Sequence, residues 1–171
     1  MKRLLRALGW PLVVASLSTS ASCSRKNPAE KGRTMDATSL EVKTDIAKLG
    51  KYMSVPPAGV ESVRWVAVPD PDQSTWVPPI LYRFYVYYRI NPAMWPEVEK
   101  TIGPAREHET MSIPTEVAAV LLESLADGLP HDGSRVRVEG PGYDTTWLGT
   151  SKSAAVRYRD GLLVTAPWQS D

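Results

Sequence analysis

The chain has 171 residues, with 20 Lys and Arg against 19 Asp and Glu, a formal net charge of +1, 43% hydrophobic residues and one cysteine. That length predicts one folded domain, burying roughly 65–70% of the surface its unfolded chain exposes. A single thiol excludes an internal disulfide, and the near-balance of charge excludes bulk attraction to nucleic acid, so any anion binding has to come from a local cluster.

Lys2, Arg3 and Arg6 make a positive N-terminal region, and Ala7 to Leu17 make an apolar stretch interrupted by Gly9 and Pro11. The stretch is too short to span a bilayer as a stable helix, and small residues follow it, Ser18 to Ser22, before Cys23. That is the pattern of an export signal. The segment resembles the signal of bacterial lipoproteins, in which the cysteine after a short leucine-led box is lipidated and becomes the first residue of the mature protein. Ala21 and Ser22 match the last two box positions, and Ser20 stands where the family usually carries leucine. The resemblance implies a signal peptide over 1–22, lipidation of Cys23 with palmitate-type chains, and a protein held on the membrane of the cell envelope, facing the periplasm. Cutting by an ordinary signal peptidase, which leaves a soluble periplasmic or secreted protein, is the alternative. Loss of the signal takes three of the 20 basic residues and none of the 19 acidic ones, so the formal charge passes from +1 to −2.

Residues 23–38 contain the candidate lipid acceptor and then a polar run with Pro28 and Gly32 and no apolar periodicity, which predicts a flexible tether. Residues 39–171 are expected to form a single domain. Leu40 to Gly50 predicts a short amphipathic helix closed by glycine. Val60 to Val68 predicts a strand, ended by Pro69-Asp70-Pro71-Asp72, and a proline-stiffened loop through Trp76 follows. Ile80 to Ile90 is the clearest pattern in the domain. Ile80, Tyr82, Phe84, Val86, Tyr88 and Ile90 alternate with Leu81, Arg83, Tyr85, Tyr87 and Arg89, which predicts a strand with its even face in the core.

Asn91-Pro92 predicts a cap and an irregular turn through Trp95, then a helix over 96–102 stopped by Gly103-Pro104. Residues 105–112 predict a polar loop. Pro114 to Ala126 predicts the best helix, with Val117, Leu121 and Leu125 on one face and Gly128 as a left-handed cap. Arg135 to Glu139, Ala154 to Arg159 and Leu162 to Ala166 predict three strands, the last two joined in a hairpin across Asp160-Gly161. The order predicts an α+β domain: an antiparallel sheet of about five strands with two or three helices packed mainly on one face.

The residues present predict no catalytic residue, no metal site and no cofactor. His131 in Pro130-His131-Asp132-Gly133 reads as turn chemistry, and His108 in Arg106-Glu107-His108-Glu109 reads as a solvated residue. No nucleophile elbow and no phosphate-binding glycine loop is present, and Gly140-Pro141-Gly142 leads into no helix pattern. Arginine placement is the feature most open to a functional reading. Arg83 and Arg89 flank Tyr85 and Tyr87 on one strand face, Arg135 and Arg137 lie opposite Val136 and Val138, and Arg157 and Arg159 lie opposite Val156 and Tyr158. On a single sheet these eight residues gather on its uncovered side, a composition suited to carboxylate or phosphate partners. The other reading is an ordinary polar face whose long arginine stems cover the sheet. Trp76, Tyr143 and Trp147 offer a second surface, unless they fold back onto the core.

The functional expectation is a lipid-anchored envelope protein that binds a protein partner, with inhibitors and toxin-neutralising immunity proteins as analogues by size and location alone. An envelope hydrolase using His108, His131 and Asp132 is one alternative, and a structural lipoprotein of an envelope assembly is another. The expected contacts are the membrane through Cys23 and a protein, without nucleic acid.

Overall fold

A computed structural model describes residues 40–56, 58–69, 81–150 and 152–169. Cys23, the tether and Trp76 lie outside them. The domain is α+β, with seven strands among the described residues: β1 (Val60–Pro69), β2 (Leu81–Ile90), β3 (His108–Pro114), β4 (His131–Asp132), β5 (Arg135–Pro141), β6 (Ala154–Tyr158) and β7 (Gly161–Gln169). The helices are α1 (Ile46–Leu49), α2 (Trp95–Ile102) and α3 (Thr115–Leu122). All strand pairs are antiparallel, and the strands form two sheets, β1-β2-β7-β6 and β3-β5-β4, rather than the single sheet of about five expected.

The even face of β2 packs as the alternation predicts. Phe84, Val86, Tyr88 and Ile90 join Val63 and Trp65 of β1, Leu162 and Val164 of β7, and Trp95, Val98 and Ile102 of α2. The odd face is not open. Tyr85 and Tyr87 are buried against Met111 and Ile113 of β3, Val136 and Val138 of β5, and Val117, Leu121 and Leu122 of α3. The four-stranded sheet is therefore the middle layer, with α2 on one face and the small sheet with α3 on the other. A strand buried on both faces reads as a continuous apolar run. Leu162-Leu163-Val164 of β7 is such a run, and each of these side chains contributes about 1.5–3 kcal/mol of transfer free energy.

Local differences have local causes. The expected N-terminal helix is one turn, capped by Asp45, whose Oδ1 accepts from the Lys48 amide at 2.9 Å, because Lys43 is spent in a bridge to Trp65. The expected polar loop before α3 is β3, in which only Met111 and Ile113 turn inward. α3 ends at Leu122, followed by a 3-10 turn over Glu123–Ala126, with Gly128 at φ 78 where a left-handed residue is expected. Asn91 caps a 3-10 turn before α2 by accepting from the Ala93 amide at 3.0 Å. The β6–β7 loop is Arg159-Asp160 rather than Asp160-Gly161, since Tyr158 pairs with Gly161 and it is Arg159 that carries φ 56. Gly161 has another duty: a Cβ there would lie 2.5 Å from Cζ of Tyr87 and 2.5 Å from the Tyr88 carbonyl oxygen.

The two sheets touch where β5 runs out onto β6. Gly142 bridges Val156, and a Cβ on Gly140 would meet the Arg157 carbonyl oxygen at 2.0 Å. The Arg157 guanidinium stands 4.1 Å from the centre of the Trp95 ring, which also stacks on Tyr143 at 6.0 Å. Tyr143 is buried and Trp147 packs against the same core, so both fold back as the second of their sequence readings has it.

Candidate functional site

Where β1 and β2 pass beyond the C-terminal end of α3, their shared face opens into a cleft of about 330 Å³. Strand geometry fixes its floor. Ser62 and Arg64 lie on the same side of β1 as the core residues Val66 and Val68, and across the ladder Ser62 pairs with Arg89 and Arg64 with Tyr87. Leu121, Leu122 and Leu125 give one apolar wall, with Glu123 and Ser124 between them, and Asp160 of the β6–β7 turn closes the opposite side. The Tyr158 hydroxyl donates to the Leu125 carbonyl at 2.6 Å, tying the 3-10 turn to β6.

Two arginine–carboxylate pairs line this cleft. Arg64 donates through Nη2 to the Val120 carbonyl at 2.7 Å, which satisfies one of the open carbonyls at the end of α3. Its Nη1 lies 2.6 Å from the Glu123 carboxylate. Arg89 Nε stands 3.0 Å from one oxygen of Asp160 and 3.7 Å from Glu61. The other oxygen of Asp160 accepts from the Tyr87 hydroxyl at 2.8 Å, with the Tyr158 carbonyl 3.3 Å from the same hydroxyl.

These contacts set the protonation states. The Tyr87 hydrogen bond, helped by the Arg89 charge, holds the Asp160 carboxyl below the ordinary aspartate range. Burial, and then Asp160 itself, pushes the Tyr87 hydroxyl above the ordinary tyrosine range, so it is a fixed donor rather than a base. On the other face of the sheet Tyr143 behaves alike: burial and its 2.8 Å bond to Glu99 push it up to about 12.

The backbone is unusual at the same place. Glu123 has φ 52 and ψ −128, and Arg159, beside Asp160, has φ 56. Side-chain-bearing residues rarely adopt positive φ, and such strain gathers at sites where the surroundings over-determine the geometry. Both acids of the cleft thus sit on or next to a residue held at positive φ.

The structure divides the eight expected partner-binding residues. Tyr87 and Arg89 belong to the cleft. Tyr85 is buried between the layers and Arg83 is half-buried further along β2, opposite Val68 and Pro167. Arg135 and Arg137 are on the small sheet, bonded to Ser112 at 2.8 Å and to Asp132 at 2.7 Å. Arg157 lies on the opposite face, over Trp95, and the Arg159 guanidinium is 5.7 Å from the Tyr158 ring. The single uncovered Arg and Tyr face therefore does not form, because the strands belong to two sheets and the Tyr face is a packing surface. Ser62, Arg64, Glu123, Ser124 and Asp160 are passed over by the sequence pattern. The available signal was Arg64 itself, a charge in register with inward-facing Val66 and Val68.

His108 pairs across β5 with Pro141 and His131 with Val136, on opposite edges of that strand and about 17 Å apart along it. They do not share a site. His108 Nε2 is 4.0 Å from Glu139, and no group of three or more metal-ligating side chains occurs among the described residues. Comparison with protein-family models, curated proteins and solved structures found no match to this chain.

Proposed function

We propose that this chain is exported, anchored in a bacterial envelope membrane through lipid on Cys23, and that its α+β domain binds a protein partner through the cleft around Arg64 and Arg89. One observation carries the binding half: two guanidinium–carboxylate pairs stand open to solvent over a wall of Leu121, Leu122 and Leu125, with the acids on or beside positive-φ residues. Apolar contact ringed by arginine, tyrosine and hydrogen-bonding groups is the composition of interface hot spots. The protonation states agree with this, since Tyr87 held protonated and Asp160 held ionised keep a donor and an acceptor fixed in the surface. The export half is supported by the N-terminal pattern ending at Cys23.

The full chain, tagged at its C-terminus and crosslinked in its own envelope, tests the cleft. Ser62→Trp fills the mouth and is expected to abolish capture of a partner that the control Arg137→Glu, on the small sheet, still retains. Equal capture by both variants overturns the cleft as the binding surface. Labelling with a palmitate analogue tests the anchor: incorporation is expected in the full chain and lost in Cys23→Ser, and a soluble, unlabelled mature protein overturns it.

A further inference from the structure

The Arg64–Glu123 pair has an asymmetry that bears on what the cleft takes. Arg64 is fixed: its side chain is only 29% exposed, and the bond from Nη2 to the Val120 carbonyl orients the guanidinium plane independently of Glu123. The Glu123 side chain is not: it is 62% exposed, and only its backbone is held, at φ 52 and ψ −128. A rotation of the Glu123 side chain moves its carboxylate into water without disturbing a packed group, and leaves an arginine already aimed into the cleft.

We infer that Glu123 is an internal stand-in for an acidic side chain of the partner, and that Arg64 is the anchor which receives that carboxylate when Glu123 swings out. This rests on the cleft being the binding surface and names what it recognises: a partner presenting Asp or Glu beside an apolar residue that reaches the Leu121, Leu122 and Leu125 wall. With Nη2 held by the Val120 carbonyl and Nε buried, Nη1 offers the carboxylate a charge-assisted contact, and its orientation in advance removes part of the ordering cost of binding. Keeping Glu123 in place at rest has a second use. It neutralises Arg64 and weakens capture of stray anions, so specificity is gained at the expense of affinity.

The test uses the full chain and a defined probe, acetyl-Gly-Glu-Gly-amide, with acetyl-Gly-Gln-Gly-amide as the uncharged control. Binding is read from the backbone amide resonances of Ser124 and Leu125, which every variant keeps, and from the side-chain Nε–H of Arg64 where the arginine is present, at low ionic strength, where exposed ion pairs are least screened. Glu123→Gln is expected to tighten the Glu probe about two- to fivefold relative to wild type, the range in which exposed ion pairs compete. The gain should vanish in Glu123→Gln combined with Arg64→Gln, which leaves no cation for the carboxylate, and the Gln probe should shift nothing. Equal affinity in wild type and in folded Glu123→Gln, or an Arg64 signal that ignores the Glu probe in both, overturns the inference. If those failures occur while Ser62→Trp still abolishes partner capture, the cleft stands and only the acidic anchor falls. If Ser62→Trp leaves capture unchanged, the cleft reading itself falls, whatever the probe does.

Discussion

Glycine and alanine at position 123 separate the two terms that meet there. Neither carries a carboxylate, so both lose the Arg64 ion pair, worth about 0–1 kcal/mol for a pair this exposed. They differ in backbone. At φ 52 and ψ −128 an alanine keeps a strain of about 1–3 kcal/mol, which glycine does not have. Against that, glycine gives the unfolded chain more freedom, a loss of about 0.4–1 kcal/mol. Glu123→Gly is therefore expected to be more stable than Glu123→Ala by about 1–2 kcal/mol, and to equal or exceed wild type. Urea unfolding followed by far-ultraviolet circular dichroism measures the difference, and the melting temperatures should differ by about 3–8 °C in the same direction. Alanine as stable as glycine would refute the strain at Glu123, and with it the account of why this acid is held at the cleft.

Further variants probe the supports of the cleft. Tyr87→Phe removes the donor to Asp160 and should cost about 1–2 kcal/mol, whereas Tyr88→Phe should be neutral or stabilising, because the Tyr88 hydroxyl is buried and makes no hydrogen bond among the described residues; denaturant midpoints rank the two. Gly161→Ala drives a methyl group into the Tyr87 ring and the Tyr88 carbonyl and should cost about 1–3 kcal/mol or more, with the Asp160 carboxyl titrating closer to its ordinary value in carbon-detected NMR. At high pH the unfolded tyrosines ionise near about 10 while Tyr87, Tyr88 and Tyr143 stay protonated in the fold, so the unfolded state binds fewer protons. Stability should then fall by about 1.4 kcal/mol per pH unit for each, and tyrosinate absorbance should appear together with loss of structure. At low pH the sign reverses. Asp160 is depressed, so its contribution is complete above about 3.9 and fades as pH falls through its lower folded value, a dependence that Asp160→Asn should remove.

The strands were legible because period two survives in any strand with one buried face, and β1, β2, β5 and β6 all show it. What period two leaves open is whether the second face is also covered. Tyr85 and Tyr87 carry enough apolar ring to be buried and enough hydroxyl to be exposed, so their strand fits either side of that choice. The deciding residues lay elsewhere, in Leu162-Leu163-Val164, where no polar position interrupts the run and both faces must therefore be dry. β3 was hidden for the opposite reason. Four of its seven residues are polar, and only Met111 and Ile113 carry the apolar signal.

The cleft was half legible, and the division follows from what holds it. Tyr87 and Arg89 stand two apart on one strand, so local alternation is enough to place them on one face. Arg64 needed a comparison along β1, where a charge shares the face of Val66 and Val68 and so must find a partner at the margin of the core. Glu123 and Asp160 come from the end of α3 and from a hairpin loop, and no periodicity brings them to the arginines. Their placement depends on an α-helix that ends at Leu122, before its apolar face does, and on a glycine that yields its side-chain space to the Tyr87 ring. A sequence pattern reports which face a residue takes. The distance between two charges on different elements is set by where those elements stop, and here a strained residue and a missing Cβ decide that.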